Sequence, residues 1–175
     1  MEQRYIMTAF GQDRVGIVAD LTEVMFELGC NLEDSNMTRL ANEFAVIFLF
    51  TTADEKIEDK LSLACRRLEK DKGLSAFFRR SEAKAQKGAA PASTHSIQAE
   101  GPDQIGIVYK ISRLLASKEV NIVNLQAQRS FSPGSGTALY SVQLEVECPD
   151  SLSLDQLKQG LRRIADDIHV DIQLT

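Results

Sequence analysis

The sequence predicts an α+β protein made of two βαββαβ units in tandem, each an antiparallel sheet with its helices on one face. Three observations predict it. Residues 11–32, GQDRVGIVADLTEVMFELGCNL, recur without a gap as residues 101–122, GPDQIGIVYKISRLLASKEVNI, at an offset of 90. Gly11/Gly101, Asp13/Asp103, Gly16/Gly106, Ile17/Ile107, Val18/Val108 and Asn31/Asn121 are identical between the copies. Each half then shows the same succession of alternating and helical apolar patterns. Between the halves, SEAKAQKGAAPAST (81–94) has no apolar periodicity and is rich in Ala, Lys, Ser and Gly, so it reads as a linker. The domains are therefore expected at 1–80 and 95–175.

In the second half, His95, Ile97 and Ala99 alternate with polar residues, as a half-buried strand does. Ile105, Val108, Ile111 and Leu115 recur at helical spacing. Val123, Leu125 and Ala127 mark a second half-buried strand, and SPGSG (132–136) a turn-rich loop. Ala138, Tyr140, Val142, Leu144 and Val146 alternate as a third strand. Leu154, Leu157, Leu161, Ile164 and Ile168 form the stripe of a second helix, and Ile168–Leu174 alternates as the last strand.

The first half follows suit, with strands at 4–10, 32–40, 43–52 and 74–79. Its helices are at 14–29 and along Ile57, Leu61, Ala64 and Leu68, the latter stopped by Gly73. This order is the split βαβ, ferredoxin-like arrangement. It leaves one sheet face bare. On the third strand Phe44, Val46, Phe48 and Phe50 point one way, while Ala45, Ile47 and Leu49 point the other. An apolar bare face calls for a cover: the sister unit, a second chain or a partner protein.

Composition narrows the function. Over 175 residues the net charge is −5 and the pI about 5.1, which disfavours binding to phosphate backbones. The basic pairs Arg66-Arg67, Arg79-Arg80 and Arg162-Arg163 read as solvated faces, and no helix-turn-helix pattern accompanies them. An RNA-recognition module shares the element order, but aromatics are only 6% and no RNP-like stretch is present. Cys30, Cys65 and Cys148 are scattered, which fits reduced thiols rather than a disulfide framework or a zinc site. Two His residues and no GxSxG or phosphate loop make a thin catalytic inventory, so no catalytic residues, cofactor or metal are expected. No membrane span and no basic-apolar leader are visible, and a cytoplasmic location is expected.

The repeated GxDxxGIV segment joins strand to helix in each half. Gly11 and Gly101 release the strand into a turn. Asp13 and Asp103 precede the helix, where a carboxylate can accept hydrogen bonds from first-turn amides. Gly16 and Gly106 sit where Ala would be the better helix former by roughly 1 kcal/mol. Either another backbone packs closely there, or a ligand must reach the helix N-terminus, whose free amides suit a carboxylate. Asn31 and Asn121 read as left-handed helix closers or as amides that hydrogen-bond a small polar ligand.

These segments resemble ACT domains, ferredoxin-like modules that regulate amino-acid metabolism. Asp13, Arg14, Gly16 and Asn31 match the family's Asp-Arg-x-Gly loop and its Asn. Asp103, Gly106 and Asn121 match in the second copy, where Gln104 replaces the Arg. The resemblance covers nearly all of the chain outside the linker. It implies amino-acid binding by Gly11, Asp13, Arg14, Gly16, Ile17 and Asn31, and by Gly101, Asp103, Gly106, Ile107 and Asn121. It further implies a non-enzymatic, amino-acid-sensing repressor in glycine metabolism, with glycine or serine as effector. Such a repressor would act through a protein partner such as a transcriptional activator, without direct nucleic-acid or membrane contact, as a homodimer or a tight intrachain domain pair. The alternative is a tandem sensor controlling an enzyme of another amino-acid pathway. Glu119-Val120-Asn121 lacks the Gly of Gly29-Cys30-Asn31, so the two sites are expected to differ.

Overall fold

A computed structural model describes residues 2–81 and 93–175. The chain divides into two units, Met1–Ala85 and Gln86–Thr175. The first contains β1 (Gln3–Gln12), α1 (Ile17–Glu27), β2 (Asn31–Leu40), β3 (Glu43–Thr52), α2 (Ile57–Lys72) and β4 (Ser75–Arg80). The second repeats this order as β5 (Ser93–Pro102), α3 (Ile107–Ser117), β6 (Asn121–Phe131), β7 (Ala138–Cys148), α4 (Leu154–Ile168) and β8 (Asp171–Leu174). Residues 82–92 of the expected linker lie outside the described residues, and Ser93 and Thr94 already belong to β5.

Both units are four-stranded antiparallel sheets, ordered β2-β3-β1-β4 and β6-β7-β5-β8. The predicted periodicities account for the cores. Tyr5, Met7 and Ala9 of β1 and Phe44, Val46, Phe48 and Phe50 of β3 meet Ile17, Leu21 and Met25 of α1 and Ile57, Leu61 and Leu68 of α2. In the second unit Ile97, Val142, Leu144 and Val146 meet Ile107, Ile111 and Leu115 of α3 and Leu157, Leu161 and Ile168 of α4. Burying each such side chain contributes about 1.5–3 kcal/mol before entropy opposes it.

Some elements differ from the sequence reading. β6 is exposed along nearly its whole length, with Val123 at 54% and Leu125 at 41% exposure. It is the edge strand, like β2, and only Ile122 at its start packs against the core. A bulge between Ile122 and Asn124 also shifts its alternation. The first helix of each unit begins later than its apolar pattern. Gly16 and Gly106 are its N-cap residues, in left-handed conformation with φ 88° and 100°. That turn throws Val15 and Ile105 outward, fully exposed, rather than onto the helix face.

Candidate functional site

Gly16 and Gly106 follow from the same turn. A Cβ at either position would meet no heavy atom within 4 Å. Neither close packing nor an approaching ligand is needed to explain them, because positive φ alone excludes most side chains. Close packing belongs instead to Gly11 and Gly101, which lie inside β1 and β5 rather than in a turn. A Cβ on Gly11 would sit 2.8 Å from Leu74 Cδ2 and 2.9 Å from the Gly73 carbonyl oxygen. One on Gly101 would sit 2.6 Å from Val170 Cγ1.

Asp13 and Asp103 do not cap the helices, since neither helix has a side-chain cap. The Asp13 amide donates to the Asn42 carbonyl at 2.8 Å, and its carboxylate takes a hydrogen bond from Arg39 Nη1 at 3.2 Å. In the second unit the Asp103 amide donates to the Ala138 carbonyl at 3.0 Å, and Arg129 Nε lies 2.8 Å from the Asp103 carboxylate. Each Asp thus ties the loop to the far end of the unit's second strand. Arg39 and Arg129 obey the offset of 90 that relates the two copies, but they lie beyond the 22-residue window where the repeat is dense. Extending the alignment along β2 would have found them.

Both N-termini therefore leave their first-turn amides without a side-chain acceptor, which is the geometry that receives a carboxylate. Their charge differs. In α1, Asp20 lies in the first turn, where Arg14 Nη2 at 2.5 Å and Lys72 Nζ at 3.0 Å hold its carboxylate. The Arg14 hydrogen bond, then that from Lys72, keeps the Asp20 carboxyl below its ordinary value. In α3 the matching position is Lys110, paired with Asp167 at 2.6 Å, and Gln104 donates to the Ile168 carbonyl at 2.5 Å. Ile17 and Ile107 have buried side chains, at 4% and 2% exposure, and the Ile17 amide donates to the Arg14 carbonyl at 3.4 Å.

Asn31 and Asn121 are the first residues of β2 and β6, at the opposite end of each unit from the loop. The intervening helix has 11 residues, about 16 Å of rise. One unit alone does not bring its Gly16 loop and its Asn31 onto one small ligand. The left-handed closers are Gly29 (φ 64°) and Glu119 (φ 58°), not the asparagines. Asn121 Nδ2 donates to Glu147 Oε2 at 3.3 Å. Asn31 pairs instead with Thr51, whose Oγ1 is buried and has no hydrogen-bond partner among the described residues.

An ACT domain family model matches residues 3–79. The first unit is an ACT domain. The second repeats its topology, element by element. The chain is 26% identical over 167 residues to the glycine cleavage system transcriptional repressor of Escherichia coli (strain K12), covering 94% of this chain and 85% of that protein. Among solved structures, an unknown protein from Galdieria sulphuraria superposes with TM-score 0.83 at 28% identity, covering 99% of this chain and 98% of that one. A structure provisionally named a glycine cleavage system transcriptional repressor gives TM-score 0.74 at 20% identity, over 100% and 97% of the two chains, which speaks for the fold. The two-unit, ACT-like fold is therefore shared over the whole length. Among the described residues no helix is long and apolar enough to cross a membrane.

Proposed function

We propose that this tandem ACT protein is an amino-acid-sensing regulator, with glycine or serine as effector, that represses transcription of glycine-degrading functions. It acts by binding a DNA-bound activator, without catalysis and without contacting DNA itself. The observation that carries the reading is the duplicated loop. Gly16 and Gly106 start helices whose first-turn amides have no side-chain cap, and the Asp13–Arg39 and Asp103–Arg129 pairs pin both loops in place. A carboxylate meets such a helix end favourably. The name of the Escherichia coli relative supplies the pathway, and the acidic net charge of −5 favours a protein partner over DNA.

Glycine has five non-hydrogen atoms, so a ceiling of about −1.5 kcal/mol per atom limits its affinity to about 3 µM or weaker. The test is calorimetry of the purified chain against the twenty amino acids, paired with a gel shift. The expected result is heat from glycine or serine only, and no shifted DNA. Tightest binding of an unrelated amino acid would move the protein to another pathway. Tight sequence-specific DNA binding by the chain alone would overturn the partner mechanism.

A further inference from the structure

The bare sheet faces of the two units have opposite character. Two rows of residues cross the outer face of the first unit in the order β2, β3, β1, β4. One is Asn36, Ile47, Thr8 and Phe77; the next is Asp34, Leu49, Ile6 and Arg79. Ile47 and Phe77 are 50% and 58% exposed, and nearby Phe10, paired with Ala45, is 47% exposed. The matching row of the second unit is Gln126, Gln143, Gln98 and Gln173. Apolar side chains set against that row would strand four amides without hydrogen bonds, and buried amides demand partners. The first face therefore fits a surface as apolar as itself.

We propose that the bare face of the first unit docks onto the same face of a second copy of this chain, about a twofold axis running along the strands between β1 and β3. The flanking charges select that axis. Asp34 on the β2 edge and Arg79 on the β4 edge share one row, both are exposed, and neither has an ion pair among the described residues. An axis along the strands lays β2 over the partner's β4, so Asp34 meets the partner's Arg79 twice per dimer. An axis across the strands would lay β2 over β2 and β4 over β4, so Asp34 and Arg79 would never meet. The chosen axis also puts β1 over β3, so that Phe10 faces the partner's Ala45, large against small, and Leu49 faces the partner's Ile6. Such an isologous contact closes on itself. Four strands about 4.8 Å apart and three rows of side chains give a face of about 300–400 Å² per copy, only partly apolar, against about 800 Å² per partner in a standard interface, so the dimer is expected to be weak.

The test is sedimentation of the full chain between about 5 and 200 µM with a set of exposed-residue variants, each checked for parental thermal melting. The wild type should dimerise with concentration, and Ile47→Glu should remain monomeric throughout. Asp34→Arg and Arg79→Asp should each weaken the dimer about tenfold or more, because each sets like charges together at two places. The double variant Asp34→Arg/Arg79→Asp should return the dimer to within about threefold of wild type, and added salt should weaken both wild type and double variant. A wild type that stays monomeric, a dimer that survives Ile47→Glu, or a double variant no better than the single ones would overturn the proposal. The first of these results would leave the face to the sister unit or to another protein.

Discussion

Gly29 and Glu119 occupy the same point of the two repeats and adopt the same left-handed backbone, with φ 64° and 58°. Each lets the chain leave the first helix and enter the edge strand, where the following Cys30 and Val120 amides bond back to Met25 and Leu115. For a residue with a Cβ that conformation costs roughly 1–2 kcal/mol, while glycine adds up to about 1 kcal/mol of unfolded-state entropy. Glu119→Gly is therefore expected to stabilise the second unit by about 0.5–1 kcal/mol, and Gly29→Glu to destabilise the first by a similar amount. Urea unfolding of both variants checks the signs.

Gly11 and Gly101 should tolerate nothing larger. The neighbours 2.6–2.9 Å from an added Cβ include the Gly73 carbonyl and Val170 next to the sheet. Backbone cannot yield as a side-chain tip can, so Gly11→Ala and Gly101→Ala should each cost about 1–3 kcal/mol, in the range of overpacked cores. Gly16→Ala costs through strain alone, with open space at its Cβ. Thermal melts in which Gly11→Ala is neutral would contradict the close approach.

The Asp20 carboxylate gives a pH signature. Its folded-state value lies below the ordinary 3.8, first through Arg14 and then through Lys72. A depressed acid stabilises the fold above the unfolded value and loses that contribution as pH falls through the folded one. The stability gap between parent and Asp20→Asn should thus be constant from pH 7 to about 4.5 and close below pH 4. Denaturant melts across that range measure it, and a gap that persists at low pH would show that the ion pairs contribute nothing.

The fold was legible because burial imposes its period on the sequence. Phe44, Val46, Phe48 and Phe50, and the α2 stripe of Ile57, Leu61 and Leu68, are apolar for the reason that they are buried. The edge strands were less legible, since Val123 and Leu125 carry an apolar alternation yet stay exposed at the sheet edge. The loop was legible in its residue types but not in its causes. A glycine needed for positive φ, such as Gly16, looks in sequence like one needed for space, such as Gly11. Only the folded structure distinguishes the one with open volume beside it. The Arg39 and Arg129 pairings were missed because they join residues 26 apart, beyond the reach of local spacing rules.

Cys30 should be a sluggish thiol. Burial, with Asp54 nearby as a smaller cause, pushes its pKa up to about 11. The thiolate is the reacting species, and an unperturbed thiol titrates near 8.5. At pH 8 Cys30 should hold roughly 200-fold less thiolate than a free thiol and react correspondingly slowly. Alkylation followed by peptide mass spectrometry reads this directly. Labelling of Cys30 as fast as glutathione would mean that the turn closing α1 opens readily.

The two asparagines stand at the other end of their units from the loops, and a second effector site there should use them unequally. Asn121 already donates to Glu147 at 3.3 Å, whose carboxylate also repels an incoming carboxylate ligand. Across from Asn31 the strand carries Thr51, with a buried hydroxyl that lacks a partner among the described residues. Thr51 carries no charge to repel a carboxylate. Asn31→Ala is therefore expected to weaken glycine binding by about threefold to tenfold, the worth of one hydrogen bond, while Asn121→Ala leaves it within about twofold. Glu147→Thr transplants the first unit's arrangement into the second. It removes the competing acceptor and the negative charge together, and calorimetry should then register additional glycine bound per chain. Unchanged affinity in Asn31→Ala, with the variant folded, would remove the asparagine end of β2 from the binding site. Equal losses in Asn31→Ala and Asn121→Ala would show instead that the Glu147 contact gives way when the ligand arrives.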